Sequence, residues 1–161
     1  MIAKLLKYSL AAATFGLAAE GAVAATTINV QLTDTGLDHP MAKGLAYKTP
    51  SASPAKATAM IKLSQATAPA GPVTFNVKNA SKDLVHEMLV VPLADAGKPL
   101  PYAAADMTVD EEKIKSLGEV SELDPGKAGT LTVNLKPGTY ILLCNVAGHF
   151  DAGMWATFTV K

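Results

Sequence analysis

The chain has no arginine, a single cysteine and few aromatics, 6 % of its 161 residues, and its formal charge sums to zero. Each scarcity excludes something. Lysine alone supplies positive charge, so no guanidinium forks exist to grip phosphate or base edges, which argues against nucleic-acid binding. One cysteine rules out an internal disulfide framework. No segment is apolar for long enough to cross a bilayer comfortably, so stable membrane insertion is not expected. What is present fits one globular domain. Hydrophobic residues reach 49 % and charged ones 17 %, enough to bury a core and too apolar for long disorder.

The N-terminus reads as an export signal. Lys4 and Lys7 precede an apolar stretch over 8–19, and Ala22-Val23-Ala24 offers a small-residue cleavage site. Residues 1–24 are therefore expected to be a signal peptide, with 25–161 a single domain outside the cytoplasm, most simply in a bacterial periplasm. An oxidising compartment makes the lone Cys144 informative. It is buried and inert, paired between chains, or bound to a metal.

Strand signals come early. Ile28, Val30 and Leu32 alternate with polar residues over 27–33, the period of a half-buried strand. The segment 34–59, with Gly36, Pro40, Gly44, Pro50 and Pro54, reads as an irregular insertion with a short helical turn near 41–47. Strands are expected again at 60–63, at 73–77 and at 88–91, where His86 opens an unbroken apolar run that Pro92 closes. Residues 95–115 are rich in Gly, Pro and Ala, with a short helix expected at 109–115. Further strands are expected at 117–123, 131–135, 140–144 and 154–160, punctuated by Asp124-Pro125-Gly126 and Pro137-Gly138. Short strands without a long amphipathic helix predict an all-β, antiparallel β-sandwich. Such sandwiches serve many functions, so function must be argued from a site.

The segment 144–154 places Cys144, His149 and Met154 in the spacing Cys-x4-His-x4-Met. Its Gly- and Ala-rich loop joins two adjacent expected strands, returns on itself and can fold tightly around an ion. Only three histidines exist, His39, His86 and His149. His86 stands at the entrance to a strand that a sandwich can bring beside this loop. Thiolate and thioether prefer Cu(I), imidazole serves both oxidation states, and a His2Cys set with a weak axial Met is the electron-transfer copper arrangement. Zinc gains nothing from Met. The expected metal ligands are His86, Cys144, His149 and Met154 around one copper ion. For Met154 a plain core role is the alternative, since it opens an alternating apolar face.

These residues carry a family resemblance. The chain resembles the cupredoxins, the small blue copper proteins related to plastocyanin and azurin. The matching pieces are Val73-Thr-Phe-Asn-Val-Lys-Asn79, Val85-His86-Glu87, and Gly138-Thr-Tyr-Ile-Leu-Leu-Cys144 through Met154-Trp-Ala-Thr-Phe-Thr-Val160. The loop spacing is similar to that of longer-loop members such as rusticyanin and auracyanin. The resemblance implies a Greek-key sandwich of about seven or eight strands. It also implies equatorial ligation by His86, Cys144 and His149, axial ligation by Met154, and a partly exposed edge of His149 through which electrons pass. Glu87 departs from the pattern. Many members carry Asn or Ser directly after the first His, where it ties the two ligand segments together by hydrogen bonds.

The expectation is a type 1 (blue) copper protein that carries single electrons between transient redox partners docking near His149. It would be no enzyme and take no small-molecule substrate, because a copper oxidase or nitrite reductase needs a second, histidine-rich centre and only His39 is left over. The alternative is a carrier or buffer that transfers the ion itself, with His39 and Met41 as a weak second copper site. Ala147, Gly148, Phe150, Ala152 and Gly153 predict an apolar rim for a partner. Asp106, Asp110, Glu111, Glu112, Glu119, Glu122 and Asp124 either steer a basic partner or form a solvated edge.

Overall fold

A computed structural model of the chain describes residues 24–49 and 56–161. Nearly all of the expected signal peptide and the middle of the 34–59 insertion lie outside the described residues. Within them run eleven strands: β1 (Thr26–Asp34), β2 (Ala59–Leu63), β3 (Thr67–Ala68), β4 (Gly71–Asn79), β5 (His86–Pro92), β6 (Tyr102–Ala103), β7 (Thr108–Val109), β8 (Glu119–Leu123), β9 (Ala128–Leu135), β10 (Gly138–Leu143) and β11 (Trp155–Val160). One sheet has the order β2-β1-β4-β9, the other β3-β11-β10-β5-β8, and β6 and β7 form a small ribbon. The excess over seven or eight strands comes from β3, β6 and β7, which have two residues each, too few to leave a periodic signal. Most pairs are antiparallel as expected, but β1 runs parallel to β4, and β3 parallel to β11.

The alternating residues of β1, β4 and β9 face the second sheet. Ile28, Val30, Leu32, Val73, Phe75 and Val77 meet Met88, Val90, Leu142 and Phe158 in one buried cluster, closed by an edge-to-face contact of Phe75 on Phe158. The run 88–91 does not alternate because its strand is covered on both sides. Met88 and Val90 face the sandwich interior, while Leu89 and Val91 join Ile141, Leu143, Tyr47 and Phe150 in a second cluster on the outer face. A strand buried twice reads as a continuous apolar run.

The cover for that outer face is the irregular chain. Residues 34–59 hold no helical turn at 41–47; Ala46 and Tyr47 are buried there instead. Tyr47 packs edge-on against Trp155 and donates its hydroxyl to Ala96 O, while Trp155 Nε1 donates to Leu45 O. The helix expected at 109–115 shrinks to a single 3-10 turn, Glu111–Lys113, capped by the Asp110 carboxylate on Glu112 N–H. Among the described residues no helix is long and apolar enough to cross a membrane.

Candidate metal centre

Three strand ends meet at one pole of the sandwich. β10 ends at Leu143 and delivers Cys144, β5 begins with His86, and the loop before β11 carries His149 and Met154. Backbone bonds shape that loop: Cys144 N–H donates to Met154 O, His149 N–H to Val146 O and Met154 N–H to His149 O. The first of these closes the loop at its base, as its position between adjacent antiparallel strands requires. The insertion supports it from outside, with Leu45 N–H on Asp151 O, Gly44 N–H on the Asp151 carboxylate and Thr58 N–H on Ala152 O. The contact is so close that a Cβ on Gly153, which has φ +97°, would stand 2.8 Å from Ala57 Cβ. Only glycine fits there.

The three donor residues converge. His86 Nδ1 and His149 Nδ1 are 3.1 Å apart, and Cys144 Sγ lies 3.4 Å from His149 Nδ1 and 4.0 Å from His86 Nδ1. All three ligand atoms fall within 4.8 Å of one another, and all three residues are buried. Met154 is fully buried in the interior cluster beside Cys144 and Met88, next to the other donors in the chain path. Two imidazoles, a thiol and a neighbouring thioether fit one copper ion better than zinc or a hard cation. His39 is exposed and belongs to no such group among the described residues, while Met41 is half-buried and its sulfur accepts from Thr58 Oγ1.

Burial decides the charge states. The Cys144 thiol is pushed up to about 12 by desolvation, which the backbone N–H groups of Glu87 and Val146 only partly offset. His149 is pushed down to about 4 by burial and by His86 beside it. Burial also lowers His86, against the opposing pull of Asp34. The three donor side chains are thus neutral in the metal-free protein, and a bound cation replaces the thiol proton.

The surrounding shell holds Glu87, which the sequence set apart, and also Asn79 and Asp34, which it did not. A β-bulge between His86 and Met88 in the β5–β8 pairing sets Glu87 apart, and such bulges re-aim side chains at sheet edges and sites. Glu87 N–H points at Cys144 Sγ at 3.5 Å, and its carboxyl accepts from Asn145 N–H at 2.9 Å. Glu87 therefore bridges the two ligand segments, the task that Asn or Ser performs in related patterns. Desolvation, opposed by Asn145 N–H and reinforced by Glu119, Glu111 and Glu122, raises its carboxyl to about 7. Asn79 is fully buried and pins the loop that leads to His86: its Nδ2 donates to Leu84 O and Leu123 O, and its Oδ1 accepts from Ser81 N–H. Asp34, at the end of β1, accepts from His86 Nε2–H at 2.7 Å. Burial alone would raise its carboxyl, but hydrogen bonds from Ser81, His86 and Gly36 N–H hold it below the usual value.

Two surface expectations change. His149 is only 5 % exposed, so its accessible edge is narrower than the resemblance implied. Phe150 and Ala152, expected on the rim, point inward and are buried at 1 % and 0 % exposure. The apolar surface beside the loop comes instead from Ala147, Gly148, Tyr102 and the exposed Met107.

The sequence model of the sulfocyanin (SoxE) domain matches residues 73–161. No curated protein matches the chain in sequence. Solved structures do. Auracyanin from the photosynthetic bacterium Roseiflexus castenholzii, in its dithionite-reduced form, is 24 % identical over 86 % of this chain and 99 % of its own, with a TM-score of 0.50. Rusticyanin from Thiobacillus ferrooxidans is 17 % identical, over 86 % of this chain and 79 % of its own, with a TM-score of 0.52. Auracyanin A, a "blue" copper protein from Chloroflexus aurantiacus, is 18 % identical over 86 % of this chain and 100 % of its own, with a TM-score of 0.51. At these identities the structures share the fold.

Proposed function

The chain belongs to the sulfocyanin (SoxE) domain family, of cupredoxin type, and on that premise we propose that it is a periplasmic carrier of single electrons. His86, Cys144 and His149 would hold one copper ion, with Met154 as a further soft donor, and the ion would supply a one-electron couple. The observation that carries this reading is the buried His86–Cys144–His149 cluster, whose ligand atoms lie within 4.8 Å of one another.

The protein's own part is to hold donors still. Cys144 stays a thiolate only while it is metal-bound. His86 is oriented from behind by Asp34, and His149 is fixed by a loop whose backbone bonds are closed on both sides. Donors held on strand ends and a bonded loop need little rearrangement when charge changes. Electrons reach the site through His149, where Ala147, Gly148 and Met107 offer a partner a small apolar landing surface. Small, weak contacts suit a partner that must leave again. Export rests on the signal-like pattern of residues 1–24.

The deciding experiment is the visible spectrum of copper-loaded protein lacking residues 1–24. An intense blue absorption that disappears on one-electron reduction, returns on oxidation and is missing from Cys144→Ser is expected. A colourless Cu(II) complex of correctly folded protein overturns the reading. Ion transfer, the other role for such ligands, draws no support from donors this deeply buried. Slow loss of Cu(I) to a modest chelator is expected, and rapid loss would favour that role.

A further inference from the structure

Asp34 stands apart from the rest of the site. It lies outside residues 73–161, the part that matches the family model, and it reaches His86 from a strand 52 positions earlier in the chain. Its side chain is 2 % exposed and that of His86 is 0 % exposed. One carboxylate oxygen accepts from His86 Nε2–H at 2.7 Å and the other from Gly36 N–H at 2.6 Å. A partner on each oxygen of one buried carboxylate makes a built feature of the site.

This contact does two things to His86. A carboxylate only accepts, so it places the imidazole proton on Nε2 and leaves Nδ1 bare. Nδ1 is the atom that faces Cys144 Sγ and His149 Nδ1. The carboxylate also brings a second buried negative charge to the centre. With two neutral imidazoles and one thiolate, a site holding Cu(II) would carry one net positive charge and a site holding Cu(I) none. Adding Asp34 makes the oxidised site neutral and leaves the reduced site one negative charge. Net buried charge is costly, so the carboxylate shifts the preference from the reduced to the oxidised state.

We propose that Asp34 is the positioning and potential-setting residue of this centre, orienting His86 through Nε2 and holding the copper couple toward Cu(II). The proposal rests on the copper reading above. Partners of this kind behind a ligand histidine are worth about 10- to 100-fold in metal affinity. Here the change should fall on the ratio of Cu(II) to Cu(I) affinity.

The test compares copper-loaded wild type with Asp34→Asn, which keeps shape and an acceptor but removes the charge, and with Asp83→Asn, which neutralises an exposed acid nearby. Redox titration of Asp34→Asn should show the Cu(II):Cu(I) affinity ratio falling about 10- to 100-fold. That is a rise in reduction potential of about 59 mV per tenfold for one electron. Asp83→Asn should change the ratio less than about twofold, because solvent screens its charge. Should the Asn variant fail to fold, Asp34→Ser is the smaller neutral replacement and must move the potential in the same direction. In metal-free wild type, nitrogen-15 NMR should place the His86 proton on Nε2, and Asp34→Ser should lose that preference. A blue wild type with an unchanged potential in the neutral variants overturns the role of Asp34 alone. A colourless wild type overturns the copper reading, and this proposal with it.

Discussion

Acid should reveal two opposed groups at the metal centre of the metal-free protein. His149 has a pKa of about 4 in the fold against 6.5 when free. Because the folded value is depressed, the unfolded chain holds more protons between these pH values. The stability contributed by His149 is therefore fully present above pH 6.5 and is lost as pH falls through about 4. At 1.36 kcal/mol per pKa unit this amounts to about 3 kcal/mol. Glu87 acts in the other direction. Its carboxyl is raised from 4.5 to about 7, so its contribution is present below pH 4.5 and is lost as pH rises through about 7. The two windows overlap with opposite signs, so in metal-free wild type Glu87 offsets most of the His149 contribution between pH 4.5 and 6.5. Glu87→Gln keeps an oxygen for Asn145 N–H but no longer titrates. Its stability should fall by about 3 kcal/mol between pH 7 and 4, and the lowered value of His86 adds in the same direction. Urea unfolding of both metal-free proteins across this range, at constant slope, measures the effect. A Glu87→Gln curve no steeper than that of wild type would refute the argument that burial keeps these imidazoles neutral.

Other consequences are simpler to read. A thiol moved from 9.0 to about 12 carries about a thousandfold less thiolate near neutrality, so Cys144 of the folded metal-free protein should resist iodoacetamide and react quickly once unfolded. Asn79→Ala removes three hydrogen bonds and strands two carbonyl groups; chemical denaturation should show a loss of about 3 kcal/mol. Met154→Leu conserves volume and should cost the metal-free protein less than about 1.5 kcal/mol. In the copper-loaded protein the same change should shift the reduction potential if Met154 is axial; an unchanged potential would leave Met154 a core residue.

The donor residues were legible because their signal is local. Cys144, His149 and Met154 sit in one loop with ligand spacing, and a thiol with no second cysteine to pair with asks for an explanation. The strands of the sandwich were legible wherever one face is buried, as in 27–33 and 73–77, because alternation survives only there. His86 was found through the scarcity of histidine and through resemblance, and the fold then set its Nδ1 3.1 Å from that of His149.

Tertiary structure decided what lies around those donors. No pattern in the chain announces that Asp34 meets His86, or that Glu87 leaves the β5 ladder in a bulge and spans to Asn145. Such contacts join strands whose register is set by the packing of both sheets, across more than fifty positions of sequence. The insertion 34–59 likewise read as irregular because its apolar residues follow no period; Ala46 and Tyr47 each cover part of the outer face of β5 and β10. Ligand identity is thus a property of a few neighbouring residues. The Asp34 charge behind His86 arises only when distant strands pack and exclude water from between them.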